Sequence, residues 1–182
     1  MSIPNIISIA RLLATPITLY LILQSAFKPA FILFVAAGVS DAVDGYIAKR
    51  WNQTTRLGAF LDPLADKVLL VGVYVALGVV GQLPTWIVIL VVFRDVLIVG
   101  GVLLLLLVLG TSARVRPHFV SKANTALQLA LAATVLADLA VSIDFGAITT
   151  VLIYVVSLTT LLSGAVYLVD WVSHVSSEER RR

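Results

Sequence analysis

The stretch "SDAVDGYIAKRWNQTTRLGAFLDPLADKVLL", Ser40 to Leu70, sets four aspartates, Asp41, Asp44, Asp62 and Asp66, inside a chain built almost entirely of apolar residues. Of its 182 residues 60% are hydrophobic and 13% are charged, and the mean hydropathy is +1.05. Soluble domains carry about a quarter charged residues, so this composition is that of an integral membrane protein. A crossing helix needs roughly 20 apolar residues, which gives the chain room for about six crossings and no soluble domain beside them. The expected fold is therefore all-α, with six transmembrane helices in one membrane domain, 1–182. Cysteine is absent, which excludes disulfides, thiolate catalysis and Cys-ligated metal sites. With two histidines and one methionine, carboxylates are left as the main metal ligands. The first apolar segment has neither a basic leader nor a small-residue cleavage site, so no removable signal peptide is expected.

Outward from the quoted stretch, apolar segments at 3–23, 29–49, 57–80, 84–109, 120–141 and 145–172 read as the six helices. They are separated by turn-forming runs such as Gly81-Gln82-Leu83-Pro84 and Gly110-Thr111-Ser112-Ala113. Pro4 and Arg11 give the first helix an interfacial start. Lys49, Arg50 and Arg56 lie between helices two and three, Arg114, Arg116 and Lys122 between four and five, and Arg180 to Arg182 at the end. The opposite side holds Lys28 as its one basic residue. The positive-inside rule then places the basic loops and both termini in the cytoplasm. Trp51, Trp86 and Trp171 fall near helix ends, as interfacial anchors do.

Asp41 and Asp44 are three residues apart and Asp62 and Asp66 four, so each pair lies on one face of its helix. Both helices leave the same loop in opposite directions. At about 1.5 Å per residue, Asp44 and Asp62 stand roughly 8 Å from that loop, and Asp41 and Asp66 roughly 12 to 15 Å. Four carboxylates at matching depths repel one another unless protonated, paired or metal-bound, and Lys67 alone does not balance them. An oxygen-rich cluster with surplus negative charge suits Mg²⁺ or Mn²⁺, with room for two ions. Metal beside the basic rim of Lys49, Arg50 and Arg56 suits a phosphate ester. Two other readings remain open here: ion pairing of the acids with Lys67, Arg11 or Arg94, and a path for cations or protons through a transporter. A transporter would spread its acids along the membrane path, whereas these cluster near one face.

The stretch resembles the signature of the CDP-alcohol phosphatidyltransferases, D-x2-D-G-x2-A-R-x8-G-x3-D-x3-D. Asp41, Asp44, Gly45, Ala48, Gly58, Asp62 and Asp66 fall in register, and Lys49 stands where the pattern has arginine, followed by Arg50. "IPNIISIARLL" (Ile3 to Leu13), "FRDVLIVGG" (Phe93 to Gly101) and "VSKANTALQLALAATVLA" (Val120 to Ala137) are similar to the CMP-forming cardiolipin synthases of that family. The related phosphatidylglycerophosphate synthases more typically show Arg-Glu at Arg94-Asp95 and Gly-Lys-x-Lys-Thr at Ser121 to Thr125. The resemblance implies that Asp41, Asp44, Asp62 and Asp66 bind two Mg²⁺ or Mn²⁺ ions. It also implies that Asp66 is the general base, and that Gly45, Lys49 and Thr55 line the site for the cytidine diphosphate of CDP-diacylglycerol. The implied reaction transfers the phosphatidyl group to phosphatidylglycerol, giving cardiolipin and CMP; with glycerol 3-phosphate as acceptor the product is phosphatidylglycerophosphate. A homodimer is implied as well.

Among the remaining charged residues, Arg94, Lys122 and Arg11 are candidates for holding the acceptor. Arg94 with Asp95 reads equally as an ion pair inside the bundle, Lys122 as an interfacial lysine, and Arg11 as a cap on the site from the first helix or an anchor. His118 and His174 lack metal-ligand spacing and read as surface groups. Gly100-Gly101 and the Leu103 to Leu107 run read as helix packing and lipid contact. The basic loop 114–122 and Arg180 to Arg182 suit anionic lipid headgroups. No nucleic-acid partner is expected, and the expected location is a bacterial inner membrane with the site on its cytoplasmic side.

Overall fold

The computed structural model describes the backbone of residues 3–51, 58–109, 119–141 and 143–179, and the side chains of 9–41, 65–101, 119–141 and 143–169. Among the described residues there are six α-helices and no strand: α1 Ile3–Leu23, α2 Phe27–Trp51, α3 Gly58–Val79, α4 Thr85–Leu109, α5 Phe119–Val141 and α6 Gly146–Glu179. Phe119–Val141 and Gly146–Val169 are, within those residues, long and apolar enough to cross a membrane.

The helix ends follow from local chemistry. Helix α1 stops in a Schellman turn: Ser25 N–H donates to the Ile22 carbonyl at 2.9 Å and Ala26 N–H to that of Leu21 at 2.9 Å. Ser25 takes the left-handed conformation there, φ 56°, a position more often given to glycine. Helix α3 ends the same way around Gly81, φ 76°, with Gly81 donating to Gly78 and Gln82 to Leu77. Helix α2 begins at Phe27, two residues before the expected start at Pro29. Proline is accommodated in a first turn because its missing N–H has no helical partner to lose. Pro84 stays just outside α4 and its carbonyl accepts from Ile87 and Val88. Asp144 and Asp138 accept from the Gly146 and Phe145 amides at the start of α6, where negative charge suits the helix dipole. The other end of α6 runs to Glu179, past the expected 172. The apolar pattern stops at Val172, but a helix can continue into water on polar residues.

Helix α1 packs on α2 and α3, α2 on α5, α5 on α6, and α4 on α6, while α3 also reaches α4 and α5. The apolar core joins Ile22, Val73, Tyr74, Leu77, Ile87, Val91, Leu131, Leu136 and Val156, all fully buried. Small residues allow the helices to close up. A Cβ on Gly72 would stand 2.9 Å from Leu19 Cδ1, and one on Gly78 2.9 Å from Val88 Cγ2, the small-residue packing of membrane helices.

The outer surface is greasy and much of the polarity is inside. Ile17, Ile32, Val79, Ile89, Phe93, Val96, Val151 and Tyr154 are exposed, while Arg11, Thr15, Thr18, Arg94, Asp95, Asn124, Gln128, Thr160 and Ser163 are buried. Water would penalise that arrangement, whereas hydrocarbon favours it. Trp86 at the start of α4 is well exposed, in keeping with an interfacial position. The Trp51 and Trp171 side chains lie outside the described residues.

Candidate active site

Asp41 on α2 and Asp66 on α3 come together at Arg11 of α1. Arg11 Nη1 stands 2.7 Å from Asp41 Oδ1 and also donates to Asp66 Oδ1. The guanidinium side chain is 1% exposed and the two carboxylates are 42% and 44% exposed. The arginine is therefore buried, whereas each acid side chain is close to half exposed. Arg11 is seated by α1 in the tight α1–α3 contact that Gly72 permits. Thr15, one turn on, returns its hydroxyl to the Arg11 carbonyl at 2.9 Å, which spends that hydroxyl's donor capacity locally.

A second charged cluster begins one residue further along α3. Lys67 Nζ donates to Asp95 Oδ1 on α4, and the same oxygen accepts from Arg94 Nη1 at 2.7 Å. Arg94 is tied in further: Nη2 donates to Ser121 Oγ on α5 and Ser163 Oγ on α6, both at 2.6 Å, and Nε donates to Ser163 at 3.2 Å. Gly164 leaves space beside the Arg94 stem, where a Cβ would meet its Cγ at 3.9 Å. Arg94 and Asp95 are 3% and 4% exposed. Buried charges are tolerated when paired and hydrogen-bonded, and this cluster fastens α3, α4, α5 and α6 at one level. Asp95 Oδ2 is left without a hydrogen-bond partner.

Polar contacts continue along α5. One turn beyond Ser121, Asn124 Oδ1 accepts from Thr159 at 2.7 Å and Thr160 at 3.0 Å on α6. One turn further, the Gln128 carbonyl accepts from the Tyr74 hydroxyl of α3 at 3.1 Å.

Of the residues expected at the site, the structure thus unites Asp41, Asp66 and Arg11. It places Arg94 in an ion-paired network with Asp95, and leaves Lys122 exposed near the start of α5, next to Ser121. Asp44, Gly45 and Lys49 belong to α2 and Asp62 to α3, but their side chains lie outside the described residues, as does Thr55 altogether. Sequence reading missed Ser163, Thr160 and Asn124 as partners. Their signal was the polar residues at helical spacing, Thr160 and Ser163 on α6 and Ser121, Asn124 and Gln128 on α5, within otherwise apolar helices.

A divalent cation fits the residues present. Two hard carboxylates from different helices converge on one positive nitrogen, as they would on a metal ion. Among the described residues no third acid or histidine joins them.

Helices that bring two half-exposed carboxylates onto a buried arginine, with further cationic groups beside them and apolar surface outside, define a helical bundle with a carboxylate site. A family model, CDP-alcohol phosphatidyltransferase, matches residues 1–175. The chain belongs to the CDP-alcohol phosphatidyltransferase family. It is 38% identical over 151 residues to the "Cardiolipin synthase (CMP-forming)" of Rattus norvegicus, covering 75% of this chain and 50% of that protein. The protein of the same name from Streptomyces coelicolor is 38% identical over 111 residues, 57% of this chain and 52% of its own length. The chloroplastic CDP-diacylglycerol--glycerol-3-phosphate 3-phosphatidyltransferase 1 of Oryza sativa subsp. japonica is 33% identical over 188 residues, 92% of this chain and 56% of that one. The chain spans about half the length of these curated relatives.

Proposed function

We propose that the chain transfers the phosphatidyl group of CDP-diacylglycerol to phosphatidylglycerol, releasing CMP and forming cardiolipin. The observation that carries this reading is the meeting of Asp41 and Asp66, the first and last acids of the signature, across α2 and α3 at Arg11. Family membership supports the chemistry. The relatives named cardiolipin synthase support the acceptor.

Asp41, Asp44, Asp62 and Asp66 would hold Mg²⁺ or Mn²⁺, two ions in the full site, which would supply positive charge to the pyrophosphate oxygens and to the leaving CMP. The chain's residues do the rest. Gly45, Lys49 and Thr55 receive the cytidine diphosphate, with Lys49 supplying charge without an arginine's fork. Asp66 takes the proton from the terminal hydroxyl of phosphatidylglycerol. The freed oxygen attacks the phosphorus bonded to diacylglycerol, a new P–O bond forms, and the bond to the CMP oxygen breaks with its electron pair leaving on CMP. Lys122, exposed beside Ser121, meets the acceptor phosphate. Arg94 stabilises the bundle beside it: its contacts with Asp95, Ser121 and Ser163 support an architectural role ahead of acceptor binding.

In this reading all six helices cross the membrane, with the acids near the cytoplasmic face that the basic loops mark. The protein works as a homodimer among anionic lipids.

The test uses purified protein in detergent with Mg²⁺ or Mn²⁺ and CDP-diacylglycerol, with phosphatidylglycerol and glycerol 3-phosphate offered in parallel. Cardiolipin and CMP from the first, lost in Asp62→Asn, are expected. Product only from glycerol 3-phosphate would keep the chemistry and replace the acceptor, the second reading that the rice relative favours. CMP from neither would overturn both.

A further inference from the structure

Arg11 brings a positive charge to the two carboxylates that the proposed function assigns to metal. One nitrogen, Nη1, contacts one oxygen of each acid, Asp41 Oδ1 at 2.7 Å and Asp66 Oδ1. The acids come from different helices and the arginine from a third, so the contact does not arise from chain proximity. Its position between two anions is that of a bridging cation. The guanidinium is fixed in charge and almost wholly buried, while the two acid side chains are close to half exposed.

A divalent ion drawn to the same oxygens meets that charge at close range. Because the guanidinium is almost wholly buried, the two cations repel more strongly than they would in bulk solution. Without metal, by contrast, Arg11 relieves the repulsion between Asp41 and Asp66 and ties α1 to α2 and α3. Contact and charge thus favour opposite states of the site.

We infer that Arg11 is the site's own counter-cation, holding Asp41 and Asp66 together in the metal-free protein and giving up those oxygens as a divalent ion enters. The inference rests on the proposed function for the presence of a metal. It goes further in making metal loading and release of Arg11 one event. Metal affinity is then set partly by a residue that is not itself a ligand. Arg11 acts on the metal through the two acids and is a positioning residue.

The test measures Mn²⁺ binding by the electron paramagnetic resonance of free Mn²⁺, on full-length protein in detergent, for wild type, Arg11→Gln and Arg11→Lys. Arg11→Gln is expected to bind Mn²⁺ about tenfold more tightly, within the range typical of coupled sites, and to melt at a lower temperature without metal. Arg11→Lys keeps the charge but loses the fork, so its affinity should fall between the two. A purely structural arginine would lower stability and leave affinity unchanged, and an arginine that orients the acids for metal would lose affinity on substitution. Equal or weaker binding by Arg11→Gln overturns the inference. Should that variant not fold, Arg11→Lys decides, and an affinity at or below wild type overturns it. Absence of Mn²⁺ binding by the wild type would instead overturn the metal site of the proposed function and the inference with it.

Discussion

Asp66 and Lys67 are adjacent in the chain yet face different partners: Asp66 is held by Arg11 of α1, and Lys67 by Asp95 of α4. The lysine nearest the signature acids is therefore engaged elsewhere. Asp66 keeps a side chain that is close to half exposed. The adjacent pair also marks the boundary between two clusters, the signature acids on one side and the fastening of four helices on the other.

Asp66→Asn preserves size and removes the proton acceptor. Turnover measured as CMP release should drop by roughly 10²- to 10⁴-fold, the usual scale of general-base catalysis, while the protein still purifies as a folded species. Full turnover would show that another group takes the proton.

Chelation tests the carboxylate site as a whole. EDTA should abolish cardiolipin formation, and added Mg²⁺ or Mn²⁺ should restore it, because these hard ions match oxygen ligands. Activity that persists after exhaustive chelation would exclude a metal-assisted route. Asp41→Asn should raise the Mn²⁺ concentration needed for half-maximal rate.

Removing Asp95 should cost more stability than removing any hydroxyl around it. Asp95→Ala leaves Lys67 and the buried Arg94 without their shared carboxylate, and the loss of one partner from a buried pair costs about 3 to 5 kcal/mol. Ser163→Ala deletes the two hydrogen bonds that Arg94 donates to it from α4 to α6, and between membrane helices such bonds are worth about 0.6 kcal/mol each on average. Unfolding in a denaturing detergent series would rank the two, and the reverse order would remove Asp95 from the centre of the network.

Gly78→Ala forces its new methyl against Val88, a β-branched side chain with little freedom to turn away. A cost of about 1 to 3 kcal/mol is expected from such overpacking. Gly100→Ala meets nothing within 4 Å and should stay within about 0.5 kcal/mol of the parent. Equal effects in the same unfolding assay would contradict the close α3–α4 approach.

Helix number and order were legible because each apolar run is long and bounded by turn residues. Boundaries shifted where backbone chemistry outweighs hydropathy, as at Pro29, Pro84 and the polar continuation of α6. The spacing put each acid pair on one face of its own helix, and the structure brings Asp41 and Asp66 together at Arg11 of α1. The spacing did not say which cation would meet them. Arg11, Lys67 and Arg94 were all open as partners, and the choice depends on how α1 and α4 rotate against α3, a property of packing rather than of local sequence. Ser163 was missed because small hydroxyls in an apolar helix, which can bond their own backbone, look neutral until the neighbour across the interface is known.

The turns at Ser25 and Gly81 bear on how the protein is made. In the orientation proposed above, both connections must be carried through the bilayer during synthesis, and unsatisfied backbone polar groups are costly there. Each is a few residues long and uncharged, with Lys28 the nearest ionised group to the first. Each also satisfies part of its own backbone through the paired bonds at its helix end. Helices α1 with α2 and α3 with α4 can therefore enter as two ready-made hairpins, so that biogenesis delivers the signature acids to one face of the membrane without threading any hydrophilic segment across it.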